Sequence, residues 1–254
     1  MKFVRFRDGG EARYGVLEGD AIYASTGDPF TGLAKTDLVG KLDDLSLLPP
    51  IQPGKIVCVG LNYVAHVTEN DPTRTVPEEP VLFMKPPSSL IAHGEMIRIA
   101  NPGNRTDHEA ELVVVIGKTA RNVAAEDVPG CVLGYTCGND VSDRVLQRKD
   151  GQWVRAKGFD TYCPLGPCVE TELDLSAAKV ESRLNGTVRQ SQTTAGMIWS
   201  AHTLVSFISG VMTLEPGDII MTGTPEGVGP MQPGDTIEVV VGGIGVLRNP
   251  VAAA

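Results

Sequence analysis

The sequence lacks an excess of positive charge. Lysine and arginine number 22 against 31 aspartates and glutamates, a formal net charge of -9. Nucleic-acid binding needs a basic footprint for the phosphates, so no nucleic-acid partner is expected. A small anionic substrate is not excluded, because one local cation reverses the field inside a pocket. Long apolar runs are also missing. Residues 112–117 form one of the longest, far too short to cross a bilayer, so no membrane partner is expected. The first eight residues carry charges where a signal peptide needs an apolar stretch, which points to the cytoplasm. The five cysteines, Cys58, Cys131, Cys137, Cys163 and Cys168, are odd in number and include no Cys-x-x-Cys pair. That excludes a disulfide framework or a zinc cluster and leaves small, reduced, buried thiols.

The common nucleotide and nucleophile motifs are absent as well. Gly117-Lys118-Thr119 looks like the end of a phosphate-binding loop, but Leu112 stands where its first glycine is required. Gly227-Val228-Gly229 lies between turns and opens no helix, and there is no Gly-x-Ser-x-Gly elbow. No internal repeat is present beyond two Pro-Gly-Asp turns, at 216–218 and 233–235.

What remains is an ordinary globular composition: 254 residues, 42% hydrophobic and 21% charged. The 29 glycines and 18 prolines are scattered, which predicts many turns and a β-rich fold. Residues 1–48 alternate in short stretches, with Glu18-Gly19-Asp20 as a turn. The proline cluster at 49–53 is a candidate boundary, dividing a small β-rich N-terminal domain (1–50) from a main body (51–254). Strands are predicted over 55–60, 81–85, 111–117, 132–140, 219–222 and 236–241. The run 111–117 is apolar enough to be buried on both faces. One or two helical turns are expected over 61–70, stopping before Asp71-Pro72, a turn or helical segment over 124–128, and a helix over 197–212. The fold class expected is mixed and mostly β.

Three groups of residues carry chemistry. Glu109 and Glu111 stand two apart at the entrance of an apolar strand and therefore share a face, and Asp140 ends another strand. Adjacent carboxylates repel unless a cation lies between them. An oxygen-rich cluster of this kind suits magnesium, manganese or calcium better than zinc. The same pattern also fits an ordinary solvated strand end. His66 and Glu69, three apart on a helical turn, form a pair in which the carboxylate fixes the imidazole tautomer and raises its basicity. A surface His-Glu pair has the same spacing. Lys85 and Lys157 flank strand ends; a lone loop lysine is usually solvated, whereas one beside a metal stabilises an enolate or a carboxylate. His93, His108 and His202 have no partner at ligand spacing and read as structural.

In their order and spacing these pieces resemble the fumarylacetoacetate hydrolase family, over about 200 residues from Lys55 to Val251. The matching stretches are Gly60-Leu61-Asn62-Tyr63 with His66 and Glu69, Phe83-Met84-Lys85-Pro86, and the run from His108 to Gly117. Gly134-Tyr135-Thr136 with Asn139-Asp140-Val141-Ser142, Ala156-Lys157-Gly158-Phe159-Asp160 and Pro164-Leu165-Gly166-Pro167 follow, and Leu214-Glu215-Pro216-Gly217-Asp218 and the run from Thr222 to Gly229 close the series. The resemblance implies mixed sheets rolled around the site, a homodimer, and one magnesium or manganese ion per subunit on Glu109, Glu111 and Asp140. It implies that Lys157 helps bind substrate, that Arg144, Gln147 and Thr224 contact it, and that His66 with Glu69 is the acid-base pair, on a segment that orders over the site when substrate binds. Two departures stand out. Leu61 replaces an arginine that many relatives place before Asn-Tyr, and Asp143-Arg144-Val145 replaces Ser-Arg-Asp.

The implied substrate is a small 2-oxo acid that chelates the cation through its 1-carboxylate and 2-oxo oxygen, so that an enolate forms. The stretch from Asp150 to Lys157 looks like bacterial 2-hydroxyhepta-2,4-diene-1,7-dioate isomerases and the related decarboxylases of aromatic catabolism. Isomerisation or decarboxylation of 2-hydroxydienedioates is therefore the first expectation. Acylpyruvate or fumarylacetoacetate-type carbon–carbon hydrolysis and oxaloacetate decarboxylation are alternatives on the same fold. A non-catalytic binding protein is the alternative of a different class.

Overall fold

The computed structural model describes residues 1–69 and 72–254. The fold is mixed and mostly β, as the scattered turn residues predict. The largest sheet runs, edge to edge, through Gly32–Lys41, Ala21–Asp28, Glu11–Glu18, Lys2–Asp8, Cys163–Glu170, Val132–Asn139, Ala110–Ile116, Ile219–Met221, Ile56–Gly60 and Val81–Lys85. Most neighbours are antiparallel, but Ile219–Met221 pairs in parallel with Ile56–Gly60. A five-stranded sheet, Thr187–Thr193, Lys179–Leu184, Thr236–Val241, Gly245–Ala253 and Ile97–Ile99, packs nearby. A small third sheet joins Ser142–Asp143, Thr106–His108 and Gly229–Pro230.

Strand Ala110–Ile116 is buried throughout, and alternation explains why it is apolar on both faces. Leu112, Val114 and Ile116 enter one core with Phe6, Leu204, Ile208 and Val239. Val113 and Val115 enter another with Phe3, Ile56, Cys163 and Met221. Glu111 has the parity of the second set, so it lies at the polar end of that core.

The N-terminal strands continue the large sheet. Phe3 pairs with Val169 and Lys2 with Glu170, and the Met1 amine reaches Glu170 Oε1 at 3.0 Å. All five cysteines are free, and all but Cys131 are buried. Among the described residues, no helix is long and apolar enough to cross a membrane.

Among the described residues there are four α-helices: α1 (Val64–Thr68), α2 (Arg144–Asp150), α3 (Val154–Lys157) and α4 (Ala201–Val211). α1 and α4 differ somewhat from their sequence expectations. α1 does not include Leu61, whose φ of 63° takes the chain out of the helical region. The expected stop at Asp71-Pro72 abuts Asn70 and Asp71, which lie outside the described residues. α4 begins four residues later than its apolar spacing suggests. The Ser200 hydroxyl caps it by accepting from Thr203 N at 3.2 Å, while Met197 stays extended in a bridge to Tyr63. Over 124–128 the chain turns and enters a short 3-10 helix, Val128–Gly130.

Candidate metal and acid-base site

The site lies where the ends of several strands converge. Ala110 pairs with Asn139, so Glu109 and Asp140 occupy neighbouring strand ends. The Asp140 amide donates to the Glu109 carbonyl at 2.9 Å, and the Glu109 amide donates to Asn139 Oδ1 at 2.9 Å. Glu109, Glu111 and Asp140 are all buried, and one oxygen from each lies within 4.8 Å of the others. The sequence spacing thus yields a real convergence, not a solvated strand end.

Glu111 Oε2 accepts from the Gly223 amide at 2.8 Å. Gly223 has φ +95°, and a Cβ there would meet Asn62 Cβ at 2.7 Å, so glycine is required for this approach. Asn62 fixes the same corner through its side chain, which donates to the carbonyls of Thr222 and Trp199 and accepts from the Trp199 amide.

Three cations surround the trio. Lys157 Nζ lies 2.9 Å from Glu109 Oε2 and 2.5 Å from Asp140 Oδ2. It sits over the Phe83 ring, 4.9 Å from the centroid, and stands at the end of α3 rather than at a strand end as the sequence suggested. Arg144 contacts Glu109 Oε1 at 2.5 Å and Asp107 Oδ2 at 2.9 Å, and it donates to Gln147 Oε1 at 2.8 Å. Lys85 is fully buried, against the expectation for a lone loop lysine. Its ammonium pairs with Asp140 Oδ1 at 2.7 Å and donates to the carbonyls of Val141, Tyr162 and Lys157. The signal for this was the alternation in Phe83-Met84-Lys85, which puts Lys85 on the face of Phe83.

Burial raises the Glu111 carboxyl well above the ordinary value, and the nearby Asp140 and Glu109 charges add to the rise. For Glu109 burial pulls the same way, but Arg144 and Lys157 outweigh it and hold the group below the carboxylate range. Burial would lower Lys157, yet Asp140 and Glu109 keep it raised. Glu111 is therefore the carboxylate with the least compensation. Three converging oxygen ligands, one of them poorly neutralised, fit a hard divalent ion. Glu109, Glu111 and Asp140 would hold it.

His66 and Glu69 meet as their spacing predicted, with Nδ1 3.0 Å from Oε2. Glu69 Oε1 accepts from the Gly227 amide at 2.8 Å, which ties α1 to the turn after Thr224. Thr224 lines the same chamber, but its hydroxyl already donates to the Ala110 carbonyl at 2.8 Å and accepts from Gln190 Nε2 at 2.7 Å. Gln190, for which the sequence holds no local signal, also accepts from the Ala110 amide and faces His108 Nδ1 at 3.2 Å. His108 is thereby structural, as is His202, which meets the Tyr135 hydroxyl at 3.2 Å. The departure at Asp143 is explained by capping. Its carboxylate accepts from the amides of Val145 and Leu146 at 3.0 Å each, while Asp107 supports Arg144 in its place.

Residues 55–252 match the family model for the C-terminal domain of fumarylacetoacetate hydrolase. The chain belongs to the fumarylacetoacetate hydrolase family. Residues 1–50 match a second model, the Rv2993c-like N-terminal domain. The crystal structure of 2-hydroxyhepta-2,4-diene-1,7-dioate isomerase from Mycobacterium marinum is similar at 38% identity and a TM-score of 0.89, covering 100% of this chain and 98% of that one. Maleylpyruvate hydrolase from Sphingobium sp. SYK-6, solved with manganese(II) and pyruvate, is similar at 33% identity and a TM-score of 0.82, with 100% of both chains covered. A mitochondrial oxaloacetate tautomerase of Xenopus laevis is 40% identical over 221 residues, 82% of this chain and 69% of its own. Members of the family are enzymes, both isomerases and hydrolases among them.

Proposed function

We propose that the chain is a magnesium- or manganese-dependent enzyme that acts on small 2-oxo or 2-hydroxydienoate dicarboxylic acids, with isomerisation or decarboxylation of the 2-hydroxyhepta-2,4-diene-1,7-dioate type as its reaction. The observation that carries this is one chamber lined by the acidic trio, Lys157, Arg144 and Gln147, with His66 on its wall. When bound, a divalent ion on Glu109, Glu111 and Asp140 supplies Lewis acidity toward the 2-oxo acid head.

The chain's own residues do the rest. Lys157 and Arg144 place two buried positive charges beside the oxygens on which negative charge develops as the enolate forms. Gln147, oriented by Arg144, offers its amide to the same head. His66 moves the proton, with Glu69 fixing its Nδ1 tautomer and leaving Nε2 for the substrate. Proton return to a different carbon gives isomerisation, and loss of carbon dioxide from a β-carboxylate reaches the same enolate. The likeness to an oxaloacetate tautomerase and to a dienedioate isomerase supports proton relocation as the shared chemistry.

Hydrolysis is the second reading, supported by the likeness to maleylpyruvate hydrolase, with His66 activating water. The test is a panel of oxaloacetate, an acylpyruvate and a 2-hydroxydienedioate, assayed with magnesium or manganese and followed by product identity. Isomerised or decarboxylated product from the dienedioate is expected, and a purely hydrolytic product rejects that preference. Glu109→Ala should abolish metal-dependent turnover; unchanged activity without metal overturns the assignment.

A further inference from the structure

Every side-chain oxygen of Glu109 and Asp140 already meets a cation. Arg144 holds Glu109 Oε1 at 2.5 Å, and Lys85 holds Asp140 Oδ1 at 2.7 Å. Lys157 bridges Glu109 Oε2 and Asp140 Oδ2, at 2.9 and 2.5 Å. A divalent ion on the trio must therefore take oxygens from one of these three. They are not equally tethered. Lys85 is also fixed by three backbone carbonyls, and Arg144 by Asp107 at 2.9 Å and Gln147 at 2.8 Å. Among the described residues, the Lys157 ammonium has only the two carboxylates as hydrogen-bond partners. A second seat lies beside it. Its Nζ is 4.9 Å from the Phe83 ring centroid and 6.0 Å from that of Trp153, and the two rings meet edge to face with centroids 5.2 Å apart. Gly60 leaves room for the indole, since a Cβ there would lie 3.0 Å from Trp153 Cζ3. Phe83, Trp153 and Lys157 line the same chamber as the trio.

We propose that Lys157 exchanges with the divalent ion: its ammonium leaves Glu109 and Asp140 as the trio loads and moves onto the Phe83–Trp153 wall, so that a lysine free to meet an anionic substrate exists only in the loaded enzyme. This rests on the reading of the trio as a divalent-metal site. Two cations that share the same oxygens in a buried site repel strongly, because little solvent screens them. The ring faces attract the displaced ammonium, the more so away from water. α3 need not move, since the Lys157 amide keeps its bond to the Trp153 carbonyl at 3.0 Å and only side-chain torsions change. The exchange also orders binding, with the ion first and the acid second.

The test is a magnesium titration of protein carrying isotope-labelled lysine, followed by nuclear magnetic resonance, with the Lys157 ε-methylene signal assigned through Lys157→Arg. An aromatic face shifts nearby protons upfield. The Lys157 signal should therefore move upfield in step with calorimetric saturation, and Phe83→Leu should reduce the movement. Lys157→Met, which removes the competing cation, should bind manganese about tenfold more tightly in calorimetry. A Lys157 signal unmoved at saturation, or a correctly folded Lys157→Met protein that binds manganese no more tightly than the wild type, overturns the exchange alone. Absence of calorimetric binding of both ions to the wild type overturns the reading of the trio, and the exchange with it.

Discussion

Lys85 shows how much of this site is electrostatic scaffolding. Its ammonium has three protons and faces Asp140 and three backbone carbonyls, all away from water. Replacing it with an apolar side chain leaves Asp140 short of a counter-charge and strands the carbonyls. Lys85→Met should therefore cost about 3–5 kcal/mol of stability, read from urea unfolding of the metal-free protein. Arg155→Ala breaks an exposed pair with Asp150 and should leave the unfolding midpoint unchanged. A Lys85→Met protein as stable as the wild type would show that the buried pair contributes nothing net.

At the scale of elements, the Glu69 carboxylate ties the end of α1 to the turn at Gly227. Burial would raise the Glu69 carboxyl, but hydrogen bonds from His66 and the Gly227 amide hold it below its ordinary value of 4.5. A depressed folded value means that the anchor stabilises the fold above about 4.5 and is lost as pH falls through the lower folded value. The Gly227 amide resonance should thus titrate with a midpoint below 4.5, and Glu69→Gln should abolish that titration. A midpoint at or above 4.5 would show that the anchor does not favour the ionised carboxylate.

Much at this scale was legible in the sequence. The apolar run 111–117, the paired Glu109 and Glu111, and the i, i+3 spacing of His66 and Glu69 each follow from a single periodicity. What was not legible depends on contacts across the chain. Gln190 reaches Thr224 and Ala110 from a different sheet, and nothing in the residues around it encodes that. The late start of α4 owes to Asn62, whose side chain engages both the amide and the carbonyl of Trp199 from more than a hundred residues away. Leu61 left its predicted helical turn because the corner built by Asn62 and Gly223 demands a different backbone.

For the whole molecule, the N-terminal strands and the family's catalytic body share both a sheet and a core. Phe6 and Leu17 pack in one cluster with Leu112 and Leu247, and Phe3 packs with Val169. Such shared burial couples the two parts, since each large apolar side chain contributes about 1.5–3 kcal/mol when withdrawn from water. Calorimetry should show one unfolding transition, with the N-terminal 50 residues melting together with the rest. Two separable transitions would show that the shared core is too weak to couple them.

The parallel pairing of Ile56–Gly60 with Ile219–Met221 has a consequence in time. The Gly223 amide reaches Glu111 once Ile219–Met221 has taken its place between Ile56–Gly60 and Ala110–Ile116, both distant in sequence, and such non-local pairings must first meet the entropy of loop closure. A pocket completed by those pairings is expected to form after the main folding barrier. Manganese should leave the refolding rate unchanged and act almost entirely by slowing escape from the native state, a difference that stopped-flow measurements with and without the ion would resolve.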